Sequence, residues 1–159
     1  MNGQPGSPLK VGVIGLGRFG RLHSLTLAGL AEAELVGLVA RRQESIDALA
    51  GELPGVPGWL DLEQAVSESG ADAWVVACST ANHVAVTRSL LEAGKTVLLE
   101  KPIANNLADA ESLGPLVRDD SSNLVIGHIV LFNSEFLQLL EEFDQLREEF
   151  CGRATFLVR

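Results

Sequence analysis

The sequence predicts an α/β protein built on a doubly wound parallel sheet, and three observations predict it. Short apolar runs alternate with stretches of helical period along most of the chain. Runs such as Trp74-Val-Val-Ala77 and Thr96-Val-Leu-Leu99 are apolar without alternation, as strands covered on both faces are. The first run, Lys10-Val-Gly-Val-Ile14, breaks into Gly15-Leu-Gly-Arg-Phe-Gly20, a G-x-G-x-x-G turn that leads into a helix-compatible stretch. Repeated strand–helix units imply right-handed crossovers, and ligands in such sheets bind beyond the carboxyl ends of the strands.

In chain order, the apolar run 10–14 is a strand and 18–30 the helix opened by the glycine turn. A strand at 34–39 and a helix at 43–51 follow, then a short strand near Gly58-Trp59. Asp61 begins the helix 61–69 as an N-cap. The strand 73–77 leads to a helix at 82–93, which Gly94 closes as the residue after its C-cap. A strand at 96–99, a helix at 105–118 and a strand at 124–130 complete the series.

The last segment behaves differently. Over a helix from Asn133 to Phe150, Phe136, Leu139, Leu140, Phe143, Leu146 and Phe150 recur at helical spacing, with an acidic and solvated opposite face. Arg153 to Val158 reads as one more strand, so the chain is expected to end inside a second domain. The organisation is then a flexible tail over 1–9, a nucleotide-binding domain over 10–127, and the start of a truncated α+β domain over 128–159.

Composition narrows the function classes. The 159 residues suit one full core, and 47% hydrophobic content fits a buried sheet. A net charge of −9 argues against nucleic acid as a partner, since binders of phosphate backbones carry a basic face. No stretch has the length of a membrane span, and the N-terminus lacks the pattern of a signal peptide. Cys78 and Cys151 lie far apart without a C-x-x-C neighbour. Neither a metal site nor a disulfide framework is expected, and the thiols fit a reduced, cytoplasmic protein.

The chemistry is expected at the strand ends. Gly15 permits the tight turn, Gly17 clears the approach of a pyrophosphate, and Gly20 lets helix and strand pack closely. The first amides of that helix are unpaired at the positive end of its dipole and suit a diphosphate, with Leu16, Arg18 and Phe19 joining the three glycines as cofactor-binding residues. A merely structural glycine turn is the alternative. After the second strand, Ala40, Arg41 and Arg42 stand where an NAD-preferring site usually has an acidic residue. Guanidinium groups pair with a 2′-phosphate, so NADP is favoured over NAD, against the alternative of two exposed surface arginines.

After the strand 73–77 come Cys78, Ser79 and Thr80, small residues that let a ribose approach; Cys78 reads as a packing residue rather than a nucleophile. His83 opens the next helix, as a surface residue or a ligand contact. Glu100-Lys101-Pro102 follows the strand 96–99. Lys101 can polarise a carbonyl or help a proton move, with Glu100 orienting it or holding its charge. The alternative is a surface ion pair.

With these residues and Gly127-His-Ile-Val-Leu-Phe-Asn133 in place, the chain resembles the glucose–fructose oxidoreductase/inositol dehydrogenase (Gfo/Idh/MocA) family over Lys10 to Arg159. The run from His83 to Pro102 is the most specific element, and its spacing agrees too. The resemblance implies a Rossmann domain followed by an α+β domain, acting on sugars, polyols or cyclitols with NAD(H) or NADP(H). It implies that Lys101 is the catalytic lysine near nicotinamide and substrate, and that Ser79, Thr80 and His83 line the cofactor cleft. Ser79, Leu131 and Ser134 stand where the family commonly has Pro, Arg and Pro. The family's acid–base histidine is expected beyond Arg159, and homo-oligomers through the second-domain sheet are implied. A sugar or polyol oxidoreductase is therefore expected. The alternatives are a non-catalytic dinucleotide-binding module and a Rossmann reductase of another substrate class, such as a biliverdin-type reductase.

Overall fold

A computed structural model describes residues 7–128 and, beyond them, Ser134, Gln138, Glu141 and Glu142. The chain divides into two compact units, Met1–Gly127 and His128–Arg159.

The first unit is one parallel sheet of six strands in the order β3-β2-β1-β4-β5-β6. The strands are β1 (Leu9–Ile14), β2 (Ala33–Val39), β3 (Gly58–Trp59), β4 (Ala73–Val76), β5 (Thr96–Leu99) and β6 (Leu124–Ile126). Strand order reverses between β1 and β4, which pair in register from Val11↔Ala73 to Ile14↔Val76. The helices are α1 (Arg18–Ala28), α2 (Gln43–Ala50), α3 (Leu62–Glu68), α4 (Thr80–Glu92) and α5 (Leu107–Glu111). The sheet is thus doubly wound, as the alternation of apolar runs and helical stretches predicts.

Alternate residues of each strand feed two cores. Val11, Val13, Leu38 and Val75 pack on one face with Leu25 and Leu27 of α1 and Leu49 of α2. Ile14, Val39, Trp74, Val76, Val97 and Leu99 pack on the other with Ala65 of α3 and Leu90 of α4. Burying each large apolar side chain contributes about 1.5–3 kcal/mol. The indole of Trp74 is fully buried and lies across β1 where its register partner is Gly12. A Cβ on Gly12 would overlap that ring.

Local signals set the boundaries. Asp61 caps α3 by accepting from the Gln64 amide at 2.8 Å. Gly94, at φ +74°, ends α4, its amide bonding Leu91 O while Lys95 N bonds Leu90 O. Several helix ends differ from expectation by one or two residues, α1 ending at Ala28 rather than 30. Helix α4 starts at Thr80 rather than 82, because Ser79 already takes the extended N-cap conformation. The expected helix 105–118 is a short α5 capped by Asn106, then a single 3₁₀ turn at Gly114–Leu116. Pro115 supplies the reason, since it cannot donate to a continuing helix. Strand β6 stops at Ile126, and the end of the expected strand to 130 lies outside the described residues.

In the second unit, Ser134, Gln138, Glu141 and Glu142 are helical and exposed, and Gln138 donates to Glu142 at 2.9 Å. They fall on the expected helix 133–150. The remainder of that helix and the strand at 153–158 lie outside the described residues.

Candidate functional site

The site begins with what a glycine allows. At φ +87° Gly15 turns the chain out of β1, and a Cβ there would meet Cys78 Cα at 2.5 Å. A Cβ on Gly20 would fall on the Gly15 carbonyl oxygen, so the turn closes only with glycine at both ends. Gly17 is different: no atom lies within 4 Å of where its Cβ would be. It is the extended N-cap of α1, with no side-chain cap. The amides of Arg18, Phe19 and Gly20 therefore open the helix without partners, at the positive end of its dipole. Space in front of Gly17 and free amides behind it fit a diphosphate.

A cavity of about 520 Å³ extends from this turn across the reversal point. Gly15, Leu16 and Gly17 line it after β1, Ala40, Arg41 and Arg42 after β2, and Cys78 and Ser79 after β4. Among the described residues, no Asp or Glu lines it. Neither the Arg41 nor the Arg42 side chain has a hydrogen bond or ion pair among the described residues. Burial pushes the Cys78 thiol above its ordinary value, offset in part by a hydrogen bond to its own backbone and by the Arg41 charge. A thiol in that state is a poor nucleophile, in keeping with a packing role.

Other expected residues stand elsewhere. Arg18, Phe19, Gly20 and Thr80 lie outside the cavity lining, on the first turns of α1 and α4. His83 is only 1% exposed, neither a surface residue nor a wall of the cavity. Its Nδ1 lies 2.8 Å from the Pro102 carbonyl and its Nε2 3.1 Å from the Cys78 carbonyl. The ring ties together the loops that follow β4 and β5. Both ring nitrogens face protein carbonyls rather than the cavity.

Glu100 engages Lys101 through its backbone amide rather than through its charge. Its carboxylate does not pair with the Lys101 ammonium. Instead Oε1 accepts from His23 Nε2 at 2.7 Å, and Oε2 accepts from the Lys101 backbone amide at 3.2 Å. The Lys101 ammonium lies 5.9 Å from the centre of the Phe19 ring, within cation–π range. Sequence reasoning missed His23, and it missed Ser45, Leu60, Leu62, Asn82 and Val86 in the cavity wall. Leu60 follows β3, so the strand-end rule finds it once that two-residue strand is accepted.

A glycine turn at a helix N-terminus, beside a cavity at the reversal of a parallel sheet, defines a dinucleotide-binding domain. The sequence profile described as "Oxidoreductase family, NAD-binding Rossmann fold" (GFO_IDH_MocA) matches residues 9–128. The chain belongs to this family. Among its relatives, biliverdin reductase A of Homo sapiens is 31% identical over 157 residues, covering 96% of this chain and 48% of that protein. Myo-inositol 2-dehydrogenase of Thermotoga maritima is 28% identical over 133 residues, 84% of this chain and 40% of that protein. A solved structure of scyllo-inositol dehydrogenase from Lactobacillus casei, with bound NAD(H) and scyllo-inositol, superposes with a TM-score of 0.80. It is 25% identical and covers 87% of this chain and 42% of that one. The chain thus spans less than half the length of these relatives. No helix among the described residues is long and apolar enough to cross a membrane.

Proposed function

We propose that this chain is the NADP(H)-binding part of an oxidoreductase acting on a sugar, polyol or cyclitol. One observation carries the cofactor choice: among the described residues, two arginines without a partner follow β2 and line a cavity whose wall holds no carboxylate. A carboxylate there would accept from a ribose 2′-hydroxyl and repel a 2′-phosphate; guanidinium groups do the reverse. The free amides of the glycine turn hold the diphosphate. Ser79, after β4, faces the ribose, and Cys78 packs beneath it.

When bound, the nicotinamide supplies the hydride chemistry, and the protein supplies position and charge. Lys101 binds the reacting oxygen of the substrate and holds or releases a proton at that atom. The polyol reading draws on the inositol dehydrogenases among the relatives. Likeness to human biliverdin reductase A over 96% of this chain favours, as a second reading, the same cofactor turned to a biliverdin-like substrate. Residues 128–159 begin the domain that shapes the substrate pocket and joins copies of the chain. The setting is the cytoplasm, where a thiol such as Cys78 stays reduced.

Calorimetric titration with NADP and NAD tests the cofactor assignment. We expect NADP to bind at least about tenfold more tightly, the worth of one charge-assisted phosphate contact. Arg41→Asp should erase or reverse that ratio. An unchanged ratio in the variant sinks the assignment.

A further inference from the structure

The corner at Glu100-Lys101 is held by residues far away in the chain. Glu100 is 9% exposed, and its two carboxylate oxygens face two different partners. Oε2 takes the amide of Lys101 itself, and Oε1 takes His23, 77 residues earlier. A carboxylate only accepts, so His23 donates from Nε2, and the 2.7 Å separation is that of a strong, charge-assisted bond. His23 stands four residues after Phe19 on α1, so both side chains leave the same helix face. The Phe19 ring takes the Lys101 ammonium, at 5.9 Å. One face of one helix thus meets both residues of the corner.

We propose that His23 is a positioning residue for Lys101. It fixes the Glu100 carboxylate, the carboxylate fixes the Lys101 backbone, and the lysine stem is left pointing at Phe19. A free lysine samples many rotamers of a four-carbon stem. Here the backbone anchor and the ring narrow them. The first turn of α1 also carries the free amides of the glycine turn, so the lysine is registered to the diphosphate cradle through a single rigid element. The inference rests on the reading that Lys101 meets the reacting oxygen; the geometry it asserts can be read without any reaction.

The chain has three lysines, Lys10, Lys95 and Lys101. Isotopic reductive methylation of the chain therefore yields three lysine signals, assigned by single Lys→Arg changes, beside that of the N-terminal amine. In the unmodified sequence we expect the Lys101 signal to be displaced by the ring current of Phe19, and Phe19→Leu to remove the displacement. His23→Ala should carry the Lys101 signal most of the way to its Phe19→Leu position, while the signals of Lys10 and Lys95 stay. His23→Gln, whose amide reaches the place of Nε2 and donates to the same oxygen, should restore it. A folded His23→Ala protein with Lys101 unmoved overturns the proposal, and so does a His23→Gln protein that behaves like His23→Ala. Should His23→Ala fail to fold, His23→Gln decides alone: a native Lys101 signal supports the proposal and a displaced one overturns it. Unimpaired turnover in a Lys101→Ala form of a hydride-transferring protein would sink the catalytic reading and leave these shifts untouched.

Discussion

The two halves of the sheet's carboxyl edge are built on opposite plans. Around the ends of β1, β2 and β4 the polar groups are left open: the α1 amides, the two guanidinium groups and the space before Gly17. After β5 they are used on one another. Glu100 engages both oxygens, and His83 has a carbonyl beside each ring nitrogen. A surface that meets a ligand keeps its hydrogen-bonding capacity free, and a surface that must hold one geometry satisfies it internally. Substitutions on the first side should therefore register in binding, and those on the second in stability.

The largest effect should come from the exception, a packed point beneath the open side. Gly20→Ala places a methyl on the Gly15 carbonyl, and we expect a loss of about 3 kcal/mol or more in denaturant unfolding, with binding lost as well. A variant of native stability would show that the turn can relax in a way this packing denies. Next, His83→Ala should cost about 3 kcal/mol, from the cavity and the carbonyls it strands. If it weakened NADP binding while leaving the unfolding midpoint in place, the contrast between the two sides would fail.

Gly17→Ala sharpens the contrast from the other direction. Its methyl meets no protein atom, so stability should fall by no more than about 1 kcal/mol, the loss of a tolerated N-cap. NADP affinity should drop at least about tenfold, because the methyl occupies the room of the diphosphate. Equal affinity would move the diphosphate elsewhere. The smallest effect concerns Cys78, read in a Cys151→Ser background. Thiolate is the alkylating form, and the raised thiol value means less of it at any given pH. Alkylation should run slower than for a free thiol near neutrality and accelerate only above the ordinary thiol range. Saturating NADP should slow it further. Rapid alkylation at neutral pH would mark the cavity floor as more open than the structure has it.

Most of the architecture was legible because its signals are local. The glycine turn, the apolar strands, the Asp61 cap and the Gly94 terminator each act within a few residues, and each stands where the chain predicts it. The helical period over 105–118 does not carry through Pro115, which lacks the donor a continuing helix needs. At the site, the glycine turn and the residues after β2 and β4 were legible from the strand-end rule. The distant partner of Glu100 was not. Adjacency in sequence suggests Lys101, whose backbone amide does bond Glu100, and folding adds His23 across 77 positions, a pairing that nothing local encodes. For His83 the difficulty is similar. A histidine opening a helix beside a cleft reads the same whether its ring turns outward or, as here, inward against two loops.

The fit of Trp74 over Gly12 has a consequence for how such a chain can change. The two positions behave as one heritable unit with a forced order of events. Enlarging residue 12 first meets the buried indole, so residue 74 must shrink before it. That intermediate carries an emptied core costing about 3–5 kcal/mol, set against a total margin of about 5–15 kcal/mol. Descent can cross that valley only from a lineage with stability to spare, and an ordinary one keeps the pair together.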